Sequence, residues 1–250
     1  MDLKEFYVGY LPTAPGGIAT LAKRAVIGFL FLTALTAFAL VFGQKRFAAS
    51  FFEFGNVREF QGVLREWPIP ILVVEHKSLA LVAEGKHGAK ILISGMNGKS
   101  VKLRGTLIHR DKIEMIEVAS DPIKIVGEPS PLEETFEDLG THTLAGEIVD
   151  SKCYLGVMNP GHTKPHRECA ALCIRGGVPP MFVAQSAASD SDSNSETRSV
   201  NLWLLSEKAE PVNQQVLDFV AEPVAITGQI SRIGNQLYFK ADPATYKRLP

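Results

Sequence analysis

The chain has 250 residues, 46% hydrophobic and 21% charged, which suffices for one large or two small domains and is too apolar for a disordered tail. With 26 basic against 27 acidic side chains there is no domain-wide basic field for phosphate backbones, so the composition argues against nucleic acid as a partner. Three cysteines cannot build a disulfide framework and point instead to a site.

After a tail of residues 1–24, the stretch from Ala25 to Gln44 carries no charged residue. A helix of that length spans the ~30 Å hydrocarbon core of a bilayer. The run exceeds the apolar core of a cleaved signal peptide and passes directly into Gln44-Lys45-Arg46, which predicts an uncleaved transmembrane anchor. Lys23-Arg24 before it and Lys45-Arg46 after it balance, so basic flanks assign no direction. A short tail, one helix and a long following domain form a signal-anchor layout, which puts the bulk of the chain outside the cytoplasm. Phe6, Tyr7 and Tyr10 before the helix, and Phe47, Phe51, Phe52 and Phe54 after it, stand where chains meet lipid headgroups.

Beyond residue 55 the pattern is short β-type runs broken by Gly, Pro and Asn, with no extended amphipathic helix before residue 165. Leu79–Gly105 aligns without a gap on Leu202–Gly228 at a constant offset of 123. Leu79, Leu81, Glu84, Val101 and Gly105 recur as Leu202, Leu204, Glu207, Val224 and Gly228. Upstream the offset falls to 110, where Pro70–Val73 meets Pro180–Val183, and to 84, where Gly62 meets Gly146. This is an internal duplication whose second copy has gained 26 residues before Pro180 and 13 after Val183.

Each copy without its inserts suits a five- or six-stranded Greek-key barrel of the OB type. The predicted fold is mainly β: a transmembrane helix at 25–44, a first barrel repeat at 55–127, a Pro-rich acidic linker at 128–141 and a second repeat at 142–250. Gly105 and Gly228, mid-strand in both copies, read as bulges or tight barrel bends. OB folds often bind nucleic acid, but no Lys/Arg cluster here is interleaved with aromatics. The later insert contains the Ser/Asp-rich stretch ASDSDSNSETRS and reads as a solvated, disordered loop over 186–199.

The earlier insert, centred on 150–177, contains all three cysteines and two of the six histidines. Pro165 suits a first helical turn and Gly176-Gly177 a C-cap, predicting a helix over Pro165–Arg175. His166, Cys169 and Cys173 then fall on one face, and Cys153 supplies a fourth ligand from the end of the strand that begins at Gly146. Cys3His is a set that tetrahedral zinc accepts. His162 is a further candidate, and Asp150 and Glu168 are candidates for orienting a ligating imidazole. Zinc leads, copper(I) follows, and an iron–sulfur cluster lacks a familiar spacing. A disulfide with one thiol left over remains the alternative reading. His76, His87, His109 and His142 lie in polar stretches or at strand ends and read as exposed. The first barrel has no cysteine and is expected to be indifferent to loss of a ligand.

The pattern Asp150-x-x-Cys153, then His166-x-x-Cys169-Ala170-x-x-Cys173-x-x-x-Gly177-x-Pro179, resembles a motif of small bacterial exported or membrane-anchored β-domain proteins that have no assigned activity. The resemblance covers about a sixth of the chain. It implies a ligand-holding loop on a barrel scaffold, with Cys153, His166, Cys169 and Cys173 as ligands, and names no substrate.

No G-x-S-x-G, P-loop or strand-linked G-x-G-x-x-G is present, so the sequence leans away from an enzyme. The expected function is a non-catalytic accessory or assembly subunit of a membrane redox complex, with protein partners, in the bacterial inner membrane and with its soluble domain in the periplasm. The alternative is a copper- or zinc-handling, or thiol-redox, protein working through Cys153, Cys169 and Cys173.

Overall fold

A computed structural model of the chain describes residues 14–43, 50–75, 77–127, 135–184 and 199–250. The aromatics at positions 6, 7, 10 and 47, His76, the first half of the 128–141 linker and nearly all of the 186–199 loop lie outside the described residues.

Helix α1 spans Gly16–Gly43, beginning nine residues before the predicted start. Lys23 and Arg24 are good helix formers, so the helix continues through them and starts just after Pro15. Thr20 and Thr36 donate their hydroxyls to the carbonyls of Gly16 and Leu32, which leaves neither hydroxyl without a partner in a water-free medium. The helix is long and apolar enough to cross a membrane, a character it shares with signal sequences.

The rest is mainly β. In the first barrel, strands β2 (Arg58–Arg65), β3 (Ile71–Val74), β4 (Lys77–Ala83), β5 (Ser100–Arg110) and β6 (Ile113–Val118) pair in the order β2-β3-β4-β6-β5, and β5 closes back on β2. A short helix, α2 (Lys90–Ile93), lies between β4 and β5. Strand β1 (Ser50–Phe52) and strand β7 (Lys124–Gly127) add to β5. In the second barrel, β8 (Phe136–Asp150), β9 (Pro180–Ala184), β10 (Val200–Leu205), β11 (Pro223–Ile233) and β12 (Gln236–Lys240) repeat the order, with β13 (Lys247–Arg248) on β11. In both, the third and fifth barrel strands are parallel, giving two closed five-stranded OB-like barrels.

The duplication extends to the strand registers. Gly62 pairs with Val101 as Gly146 does with Val224, Val63 with Val73 as Glu147 with Val183, Leu72 with Leu79 as Phe182 with Leu202, and Leu81 with Ile116 as Leu204 with Phe239. The offsets of 84, 110 and 123 read from the sequence therefore reproduce the ladders among the five barrel strands. At Gly105 the register does not slip, so no bulge sits there. It is instead the residue at which β5 passes from β2 to β6, and a Cβ would stand 2.5 Å from the Glu117 carbonyl oxygen. Residues 136–141, read from composition as linker, are strand. The far end of β11, Ile230–Ile233, pairs with β12 on one edge, and Phe136–Gly140 supply backbone partners on its other edge across a bulge at Ile230/Ser231.

Each barrel has its own apolar interior: Leu64, Leu81, Ile93, Val101 and Ile116 in the first, and Ile148, Phe182, Leu204, Ile226 and Phe239 in the second. A third buried cluster lies between them, where Ile71, Val82, Ile108 and Met115 meet Tyr154, Met181, Trp203 and Tyr238. The polar edge of this seam is satisfied: Trp203 donates to Gln236, which donates to the Ser78 carbonyl, while the Ser78 N–H donates to Asn235. Burial pushes the Tyr238 hydroxyl up to about 12, and Arg65 donates to it across the seam.

Ala184 and Val200 pair directly, so the long loop between β9 and β10 leaves and returns at adjacent ladder positions. Deleting Ala188–Ser199 is expected to keep the cooperative unfolding transition and to stabilise the domain by about 1 kcal/mol through the shorter loop. Loss of that transition in chemical denaturation would show that the loop is part of the fold.

Candidate metal centre

Strand β8 delivers Asp150 at its end, fully buried, and the chain turns at once through a π-helical turn over Cys153–Val157. The Asp150 carboxylate makes that turn: Oδ1 accepts from the Cys153 N–H at 2.8 Å, while Oδ2 lies 3.0 Å from His166 Nε2. A 3-10 turn at Lys164–His166, opened by Pro165, then feeds helix α3 (Arg167–Arg175). Two of its residues, Cys169 and Cys173, stand one turn apart on the face turned toward Cys153.

The ligand atoms of Cys153, His166 and Cys169 lie within 4.8 Å of one another, and so do those of Asp150, Cys153 and Cys173. Cys153 belongs to both groups. Together the five side chains form one cluster that can hold a metal ion, on the chemistry of a donor set rich in thiols with one imidazole. Four of the five are buried, and Cys169 is partly exposed. The Asp150–His166 hydrogen bond is the kind that fixes the orientation of a ligating imidazole. The fold thus brings together Cys153, His166, Cys169, Cys173 and Asp150, the residues read from the motif.

Two candidates fall elsewhere. His162 packs edge-on against the Tyr154 ring, 6.3 Å between centroids, and is in neither group. Glu168 is exposed in the first turn of α3, where a carboxylate suits the helix N-terminus. Of the remaining histidines, His87 and His142 are exposed, and the half-buried His109 packs against Phe51. None of them joins the cluster.

The thiols share their hydrogens unequally. The hydrogen bond from the Cys153 thiol lowers the Cys173 pKa, with the Lys86 charge as a smaller contribution in the same direction. The same bond, followed by burial and the Asp150 charge, raises that of Cys153. Of this pair Cys173 is therefore the readier to become the thiolate, the form a metal requires.

Sequence reasoning missed Lys86. It belongs to the loop after β4 in the first barrel, and its Nζ donates to Cys169 Sγ at 2.8 Å and lies 3.9 Å from Cys173 Sγ. The contact with Cys169 raises the lysine's own pKa. Beside it, the Gly88 N–H donates to the Gly176 carbonyl, and a Cβ on Gly176 would stand 1.9 Å from the Lys86 carbonyl oxygen. The glycine pair after α3 is thus more than a cap: Gly177 takes the left-handed conformation at φ +97°, and Gly176 lets two backbones touch. Lys152, almost fully buried, reaches the same loop and donates to the Ala83 and Gly85 carbonyls and to Glu117. The first barrel is therefore part of the site's surroundings.

Comparison of the chain with protein-family models, with curated proteins and with solved structures finds no match, so the reading of this cluster rests on its own geometry.

Proposed function

We propose that the protein is a membrane-anchored, metal-binding, non-catalytic accessory or assembly subunit of a membrane complex. The observation that carries this reading is the convergence of three thiols and His166 at one enclosed point where the insertion meets the first barrel. Cys153, His166, Cys169 and Cys173 would hold the ion, with Asp150 orienting His166. Zinc is the favoured ion, since four protein ligands leave no open position for a substrate or reactive water. Such a metal supplies a cross-link among a strand end, a turn and a helix, holding the docking face of the insertion in shape.

Helix α1 would serve as the anchor, with the barrels on the periplasmic face of an inner membrane. Its apolar length and the exposed aromatics of the segment that follows, Phe51 at 57% and Phe54 at 85% exposure, support the anchorage. A redox complex is the partner we favour, on the thiol-rich character of the site. Blue-native electrophoresis of gently solubilised membranes is expected to show the chain in a species much larger than its monomer. Migration only as the monomer would contradict an assembly role.

A second reading has its own support. Lys86 lies on the partly exposed Cys169, which suits a thiol that exchanges a metal or electrons. Lability separates the two: a structural ion should survive an hour of mild chelation, whereas a transfer site should lose most of it.

A further inference from the structure

Arg110 closes β5 and pairs with Ser50 of β1. It is only 7% exposed, and its guanidinium carbon lies 4.0 Å above the Tyr154 ring. Its Nε is enclosed without a hydrogen-bond acceptor, and among the described residues no carboxylate or carbonyl accepts from the guanidinium. Arginine stays charged at any pH a protein meets, so the burial cannot be relieved by losing a proton. A cation–π contact offsets only part of the cost of desolvating that charge. Every other buried cation in this region has found its partner: Lys152 has Glu117 and two carbonyls.

The neighbourhood of Arg110 is built for an anion. His162 packs on the edge of the same Tyr154 ring and offers a second nitrogen donor. Its pKa is held down by burial first and by the Arg110 charge second, and both side chains rest on the same Tyr154 ring. The Tyr154 hydroxyl is turned away to Asn201, which fixes the ring as a platform. Phe51, beside the Arg110 partner Ser50 on β1, and Met158, after the π-helical turn, are exposed apolar side chains. In the sequence, β1 begins seven residues after the last residue of the apolar helix α1.

We propose that Arg110 and His162, set against Tyr154, form a binding site for a phosphate group, carried by a phospholipid headgroup or by free phosphate. The fork of a guanidinium matches two phosphate oxygens, and the imidazole reaches a third. This site is separate from the thiol cluster and does not depend on a metal there.

The test uses the full chain in detergent, at constant ionic strength, and follows thermal unfolding. Inorganic phosphate or dioctanoyl phosphatidylglycerol is expected to raise the midpoint of the natural protein by about 3 °C or more at saturation. Arg110→Met is expected to show no such rise, and in phosphate-free buffer to be at least as stable as the natural protein, because an unpaired buried charge has been removed. Lys112→Met, at an exposed position two residues on, should keep the full response. A response to the lipid alone assigns the headgroup, and a response to both shows that free phosphate suffices. If Arg110→Met fails to fold, the natural protein still decides. Phosphate or the lipid should then slow phenylglyoxal modification of Arg110 at least fivefold, read by peptide mass spectrometry, without protecting Arg58. No shift and no protection, or equal shifts in the Arg110→Met protein, would overturn the proposal.

Discussion

Cys153→Ser is expected to abolish metal binding, reducing bound metal from about one ion per chain to under a tenth, and to loosen the insertion from Asp150 to Pro179. Cys153 is the member common to both groups of converging ligands, so its loss dismantles each of them. Ligands drawn from a strand end, a turn and a helix have no other covalent or coordinate tie, and they lose their common point together. Asp150→Asn should be milder: it removes a carboxylate that orients His166, and a loss of this kind costs 10–100-fold in affinity by the usual scale of such contacts. Titration with zinc in a competing chelator measures both. Equal affinity in the Cys153→Ser and natural proteins would contradict the ligand assignment.

Lys152→Met should be the most destabilising single change outside the cluster, by about 3–5 kcal/mol, the range found when one partner of a buried ion pair is removed. The lysine is 2% exposed and satisfies three acceptors of the first barrel from a position in the second. The substitution keeps the apolar stem and strands Glu117 and two carbonyls without a donor. Since the lost contacts cross the seam, unfolding should change from one transition to two, with the first barrel separating from the second. Urea denaturation followed by the fluorescence of Trp67 and Trp203, one in each barrel, reads this directly. A loss under 1 kcal/mol with a single transition would show that the apolar seam alone joins the barrels.

The barrels were legible because duplication leaves a signal that needs no knowledge of the fold: equal offsets between like residues, which the ladders of both sheets then obey. The metal-type cluster was legible for a local reason. His166, Cys169 and Cys173 are brought together by helix periodicity, and Cys153 lies only thirteen residues before His166. Lys86 and Lys152 were not legible, because their partners are 83 and 69 residues away and a lone lysine carries no pattern. The one available hint was Gly176, a glycine that the C-cap does not need beside Gly177 and that a close backbone contact does. The strand at 136–141 was hidden by its acidic, polar composition. Its partners lie at the extended end of β11, where one face meets solvent and the hydrophobic alternation fades. Arg110 was not legible either, since nothing in a sequence shows that a charge will be enclosed without a counter-charge.

The central claim, that the insertion holds a metal ion which ties it into one piece beside the first barrel, is tested most directly by elemental analysis of the full chain purified in detergent, combined with thiol counting after unfolding in a chelator. One equivalent of metal, zinc first, and three free thiols per chain are expected. A metal-free preparation with a single free thiol would contradict it, leaving a disulfide between two of Cys153, Cys169 and Cys173.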